Sequence, residues 1–214
     1  YASTQKRSPA LAPIRIPQTL TETTGPSAAW ERLMGPTVTD LTRQHSGEPI
    51  GQRIFVSGRV LDEDGRPVRN TIVELWQANA AGRYAHAADQ WHAPLDPNFT
   101  GAGAAVTDDG GRYRFVTILP GAYPWGNHPN AWRPQHIHFS LLGPAFATRL
   151  VTQMYFPGDP LLPLDPIANA APAEALQRMV SRFDLATTEP AFALSYVFDI
   201  VLRGRRATPF EDRP

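Results

Sequence analysis

His136-Ile137-His138-Phe139-Ser140-Leu141-Leu142 has the composition of a β-strand. On a strand, side chains alternate between faces, so His136 and His138 point one way and Ile137 the other. Two imidazoles on one sheet face can reach one metal ion; the same doublet also suits a plain solvated face, and only its surroundings separate the two readings. Those surroundings are Pro120-Gly121-Ala122-Tyr123-Pro124-Trp125-Gly126-Asn127-His128-Pro129-Asn130-Ala131-Trp132-Arg133-Pro134-Gln135. Five Pro and Gly residues between 120 and 129 forbid regular structure there. Tyr123 and Trp125 therefore sit on a loop that is costly to reorganise and can hold a ring in one place.

The chain has 214 residues, enough for one domain with a substantial core. Lys and Arg number 20 and so do Asp and Glu, a balance that argues against a general nucleic-acid or anionic-membrane surface. There is no cysteine, which excludes disulfides, thiolate catalysis and zinc–thiolate or iron–sulfur sites. Any metal must be held by nitrogen and oxygen. No signal peptide and no membrane-spanning apolar run is evident, and the expected location is cytoplasmic. With 22 Pro and 16 Gly, long helices are not expected and loops must be many.

Residues 1–24 read as an extended arm broken by Pro9, Pro13 and Pro17, of the kind that lies on another surface, and Ala28 to Met34 suits a short helix. Regular structure is expected from Ile54–Leu61, followed by an Asp-Gly turn over Asp62–Pro67 and a strand over Thr71–Gln77. Residues 79–100 form a long insertion containing Tyr84, His86, Trp91 and His92, and its aromatic content points to function rather than disorder. Ala105–Phe115 reads as a hairpin around Asp109-Gly110. Arg149–Tyr155 is a strand with Gln153 and Tyr155 on one face, Pro172–Phe183 is an amphipathic helix candidate, and Leu194–Leu202 is the last strand. The expected fold is mainly β: an antiparallel or mixed β-sandwich with long irregular loops, an extended N-terminal arm and one or two short helices. It forms a single domain over residues 1–214, with arm and loops over 1–50 and the sandwich over 51–214.

The candidate ligands are the two histidines and tyrosines from the loops. Phenolate is a hard anionic donor suited to a trivalent ion such as Fe(III), whose charge favours loss of a proton with an ordinary pKa of about 10. The sequence after His138 places no acid near, which disfavours the two-His-one-carboxylate arrangement of Fe(II) oxygenases. A copper site would need more histidines than the six scattered ones present. Read singly, Tyr84 suits a packed tyrosine, Trp125 and Trp132 suit core, Arg133 suits a cation–π pair and Gln153 a solvated strand position.

Taken together, Gly82-Arg83-Tyr84, Pro120-Gly121-Ala122-Tyr123-Pro124-Trp125 and Trp132-Arg133-Pro134-Gln135-His136-Ile137-His138-Phe139 resemble the intradiol ring-cleaving dioxygenases. Glu22–Pro26, Glu74–Asn79, Ala93–Phe99 and Phe198–Gly204 extend the resemblance over nearly the whole chain, and to the iron-carrying beta-chain type. The resemblance implies a non-haem Fe(III) held by Tyr84, Tyr123, His136 and His138, with Tyr123 the axial tyrosinate that leaves when substrate binds. It implies a charge-stabilising role for Arg133, substrate contacts from Trp125, Gln153 and Ile167, and a homologous alpha chain that lacks the metal site. The implied substrates are O2 and protocatechuate, cleaved to 3-carboxy-cis,cis-muconate; catechol or hydroxyquinol are the alternatives, although enzymes for those usually carry a helical N-terminal linker domain that this arm does not resemble. One departure concerns the substrate carboxylate: an arginine can follow Tyr-Pro-Trp in the family, whereas Gly126 does here. His128 and Tyr1 are the residues expected to compensate. His86, His92 and His45 are expected to be structural, and Tyr155 to be core or to support the site.

Overall fold

In the computed structural model, which describes residues 37–126, 129–142, 150–202, 204 and 206–209, the His136–Leu142 strand (β7) lies in the middle of a sheet. Ile137, Phe139 and Leu141 are fully buried on its inner side, each contributing about 1.5–3 kcal/mol of transfer free energy. β7 pairs antiparallel with β2 (Ile72–Trp76) and with β8 (Leu150–Tyr155), and β2 pairs with β3 (Ala102–Val106), giving the order β3-β2-β7-β8. Val73 and Leu75 of β2 and Met154 of β8 join Ile137 and Phe139 in the core.

The facing sheet is mixed. Its centre is β1 (Arg53–Leu61), which pairs antiparallel with β4 (Arg112–Ile118) on one side and parallel with β10 (Leu194–Val197) and β11 (Ile200–Val201) on the other. β9 (Arg182–Phe183) extends it beyond β10. Ile54, Val56, Val60, Phe115, Phe198 and Ile200 supply its half of the core. A separate two-stranded ribbon, β5 (Tyr123–Pro124) against β6 (Trp132–Arg133), stands outside the sandwich. The mixed sandwich agrees with the expectation. The N-terminal arm and the Ala28–Met34 helix lie outside the described residues.

Three local expectations are corrected. Ala105–Phe115 is not a hairpin: the turn forms, with Asp108 Oδ1 accepting from the Gly110 and Arg112 amides at 2.8 Å, but β3 and β4 leave it into different sheets. Pairing to β2 and to β1 outcompetes pairing to each other, so the turn is a corner. The Pro172–Phe183 helix shrinks to one turn, α1 (Ala173–Leu176), and a 3-10 turn over Gln177–Met179. Val180 is extended because it bridges to Tyr155, and the Ser181 amide donates to the Tyr155 carbonyl at 2.9 Å. Leu194–Leu202 is two strands rather than one. At the break, the Asp199 carboxylate takes the Arg59 amide at 2.8 Å in place of a ladder bond, and β1 keeps the same register to both halves.

Gly58 lies opposite that break, where a Cβ would come within 1.9 Å of the Phe198 carbonyl oxygen, itself the acceptor of the Tyr113 hydroxyl. Gly58→Ala is expected to destabilise the protein by about 1–3 kcal/mol, read as a lower urea midpoint with an unchanged slope.

Candidate metal centre

Alternation along β7 puts His136 and His138 on the outer face of the β3-β2-β7-β8 sheet. The register then selects their neighbours: Trp76 stands opposite His138 on β2, and Gln153 and Tyr155 stand opposite His138 and His136 on β8. The Trp76 indole stacks on the His138 ring at 4.8 Å between centroids and 5° between planes. The two imidazoles lie 5.0 Å apart, centroid to centroid.

The 79–100 insertion and the β5–β6 ribbon bring the phenols to this face. Tyr123 is thus not on irregular chain as expected, because Pro124 stands at the edge of a two-residue strand paired with Trp132–Arg133. Asn79 folds the start of the 79–100 insertion, its Oδ1 accepting from the Ala81 amide at 2.9 Å and the Arg83 amide at 3.0 Å while Nδ2 donates to the Pro94 carbonyl at 2.9 Å. Gly82 is required beside it: φ is 77°, and a Cβ would sit 2.2 Å from the Ala122 carbonyl oxygen. Asp89 then accepts the Tyr84 amide at 2.8 Å. The Tyr84 ring meets Tyr123 edge-on at 5.5 Å and His138 at 6.3 Å. In the ribbon, Tyr123 is the cross-strand partner of Arg133, and its hydroxyl lies 3.2 Å from His136 Nε2.

Tyr84, Tyr123, His136 and His138 thus converge, whereas among the described residues no group of three His, Asp or Glu side chains is placed to hold a metal. The donors gathered at this face are therefore two imidazoles and two phenols. The chemistry of the donors fits a hard cation. His136 Nδ1 faces the Pro134 carbonyl at 2.7 Å; a carbonyl only accepts, so Nδ1 carries the proton and Nε2 offers its lone pair. Burial, reinforced by the Arg133 and His138 charges and opposed by the Pro134 bond, pushes His136 well below the ordinary imidazole value. Burial raises the Tyr123 phenol, partly offset by Arg133 and by a hydrogen bond with Tyr84, so without a cation Tyr123 keeps its proton.

Arg133 is buried beside this group. Nε donates to Asp165 Oδ2 at 3.2 Å and Nη2 donates to Gln153 Oε1 at 2.6 Å, and the guanidinium carbon lies 5.5 Å from the Trp125 ring centre. Burial works against its charge, but Asp165, Tyr155 and Tyr123 together outweigh it, and its pKa is raised. Ile167 follows Asp165 and donates its amide to Oδ1 at 3.2 Å. Trp125, Gln153 and Ile167 are therefore grouped around Arg133 or its partner. Tyr1 and His128 lie outside the described residues. His45 bonds Thr100 at 2.8 Å, and His86 Nδ1 accepts the Ala88 amide at 3.1 Å although the residue also lines a cleft of about 610 Å³ beside Tyr84, Tyr123 and His138. His92 is exposed beside Trp91. Sequence reasoning missed Asp89 and Asp165 and assigned no role to Trp76 or Asn79; for Asp165 the available signal was a lone acid between Leu164 and Pro166.

The family model for Dioxygenase (Dioxygenase_C) matches residues 24–204. The chain belongs to the intradiol dioxygenase family. It is 62% identical over 99% of its length to the protocatechuate 3,4-dioxygenase beta chain of Burkholderia cepacia, covering 90% of that protein. It is 28% identical to the alpha chain from the same organism, over 76% of this chain and 78% of the relative. The crystal structure of 3-chlorocatechol 1,2-dioxygenase from Rhodococcus opacus 1CP superposes with a TM-score of 0.55 and 28% identity, over 77% of this chain and 64% of that one. The chain is an enzyme of the ring-cleaving type, in a family that is generally iron-dependent.

The His136 environment makes the metal-free protein acid-sensitive. Unfolded imidazole titrates near 6.5 and the folded one lower, so the unfolded state takes the proton first as pH falls. Stability is then complete above about pH 6.5 and declines below it. Urea midpoints of chelator-treated protein are expected to drop between pH 7 and pH 5, and His136→Asn to flatten that dependence.

Proposed function

We propose that this chain is a non-haem Fe(III) intradiol dioxygenase of the beta-chain type. It acts on protocatechuate (3,4-dihydroxybenzoate) and O2, opens the ring between the two hydroxyl-bearing carbons, and yields 3-carboxy-cis,cis-muconate with both oxygen atoms incorporated. The observation that supports this best is the convergence of two phenols and two imidazoles beside a buried arginine, in a chain 62% identical to a protocatechuate 3,4-dioxygenase beta chain.

In this reading Tyr84, Tyr123, His136 and His138 hold the iron. When bound there, Fe(III) would supply Lewis acidity toward a catechol. The chain's own residues do the rest. The Pro134 carbonyl keeps the His136 lone pair at Nε2 pointed into the site. Tyr123, whose buried hydroxyl binds a proton tightly, is the base that accepts one proton from the substrate hydroxyls. Arg133 stabilises negative charge developing on the ring, with a charge already oriented before reaction. Trp125 and Ile167 flank the ring, and Gln153 holds Arg133.

Recognition of the substrate carboxylate falls to His128 and Tyr1. A Cβ at Gly126 would meet nothing within 4 Å, so the backbone there accepts a side chain and Gly126→Arg is a usable probe. An increased protocatechuate affinity in that variant, or a decreased one in His128→Ala, assigns the loop to carboxylate binding. The homologous alpha chain is the proposed partner, on the strength of its relative in Burkholderia cepacia. The whole of 1–214 is read as one domain working in the cytoplasm; among the described residues no helix is long and apolar enough to cross a membrane.

The visible spectrum of iron-loaded protein, before and after anaerobic addition of protocatechuate, is the test. A broad tyrosinate-to-Fe(III) band that shifts on addition is expected. A colourless protein with stoichiometric iron would overturn the ligand set, and a band moved by catechol but not by protocatechuate would transfer the activity to catechol-type substrates. Arg133→Gln is expected to keep the band and lose about 10²-fold or more in kcat.

A further inference from the structure

Arg133 is held along one edge. Asp165 Oδ2 takes Nε at 3.2 Å and also lies 3.1 Å from Nη2. Nη2 is shared further with Gln153 Oε1 at 2.6 Å and the Tyr155 hydroxyl at 3.4 Å. The Tyr155 hydroxyl in turn donates to the same Gln153 oxygen at 2.7 Å. Among the described residues Nη1 makes no hydrogen bond.

The anchor itself is rigid. Asp165 is fully buried, between Pro163 and Pro166 in sequence. Its Oδ1 accepts the Ile167 amide at 3.2 Å and its amide donates to the Leu162 carbonyl at 3.3 Å. Its carbonyl accepts from the Asn169 amide at 3.0 Å and Asn169 Nδ2 at 2.8 Å. An arginine side chain has four rotatable bonds, and one neutral acceptor would leave its plane free to swing. A fixed anionic oxygen shared by two adjacent N–H groups sets both the plane and the charge.

We propose that Asp165 is the positioning residue for Arg133: its carboxylate holds the Nε–Nη2 edge and leaves Nη1 as the nitrogen available to a ligand. This rests on the reading that Arg133 acts on the substrate. Asp165 touches no reacting atom; its effect runs through Arg133. A counter-ion with a merely structural role would cost stability but would leave kcat of the folded, iron-loaded protein unchanged.

A double-mutant cycle on iron-loaded protein separates these. Asp165→Asn is expected to lower kcat by roughly 10–100-fold, the loss that a shift of about 1 Å in a catalytic group causes, with KM changed less and the visible band retained. In an Arg133→Gln background it is expected to cost no further kcat. Equal losses in both backgrounds would overturn the proposal. A second readout needs no activity: in metal-free, arginine-labelled protein, the Arg133 Nε–H signal, assigned by its loss in Arg133→Gln, should exchange slowly with solvent and roughly tenfold faster in Asp165→Asn. Fast exchange in the unmodified protein, or no change on substitution, would also overturn it. Should Asp165→Asn fail to fold, Asp165→Glu keeps the charge and displaces it by a methylene; a lowered kcat is expected, and an unchanged one would refute positioning. Absence of iron colour and of activity in the unmodified protein would reject the functional reading instead, and the exchange experiment would still decide the Asp165–Arg133 pairing.

Discussion

The inner face of β7 holds its outer face still. Ile137, Phe139 and Leu141 are locked into the sandwich core, and because a strand alternates strictly, that packing also sets where His136 and His138 emerge. A slip of one residue would carry the imidazoles into the core and the apolar side chains out, at a cost of several kcal/mol. The hydrophobic core thus acts as the reference frame for the candidate metal centre, and the cross-strand neighbours Trp76, Gln153 and Tyr155 are delivered by the same register.

A sheet face that carries imidazoles, phenols and a guanidinium must still be kept from bulk water if its electrostatics are to be strong. Here irregular chain does the covering. Tyr155 is buried under a small apolar cluster with Ala168 and Met179, the 79–100 insertion is tied down by Asn79 and Asp89, and the β5–β6 ribbon carries Tyr123 and Arg133 as direct partners. The 79–100 insertion, which lacks ladder bonds, makes up for them with these side-chain caps, as buried loops must. The Asp159 carboxylate, which accepts the Gln135 amide at 2.7 Å just before β7, is one more such tie.

The strands and the faces of their residues were legible because period-two patterning is local. The sandwich class followed from them, and so did the pairing of His136 with His138. Partner choice was not local. The Asp-Gly turn at 108–112 has the same chemistry whether its strands pair or part, and only the competing edges of β1 and β2 decide. Likewise the helical spacing of Ala175, Leu176 and Met179 is real, but Val180 gains more by bridging to Tyr155. The four converging side chains could be named through motif resemblance, which tracks the whole loop sequences. Asp165 could not, since a single acid in a Pro-rich loop carries no sign of which cation it will meet.

The parallel alignment of β1 with β10 has a kinetic side. Ile54 pairs with Leu194 and Val60 with Ile200, so the central strand of one sheet waits for a partner about 140 residues later in the chain. During synthesis β4 can cover one edge of β1 early, while the other edge stays open until residues 194–201 have emerged. Long-range parallel pairing of this kind closes slowly and leaves an aggregation-prone edge exposed in the meantime. Loss of residues 194–201 would leave that edge of β1 open in the folded protein as well.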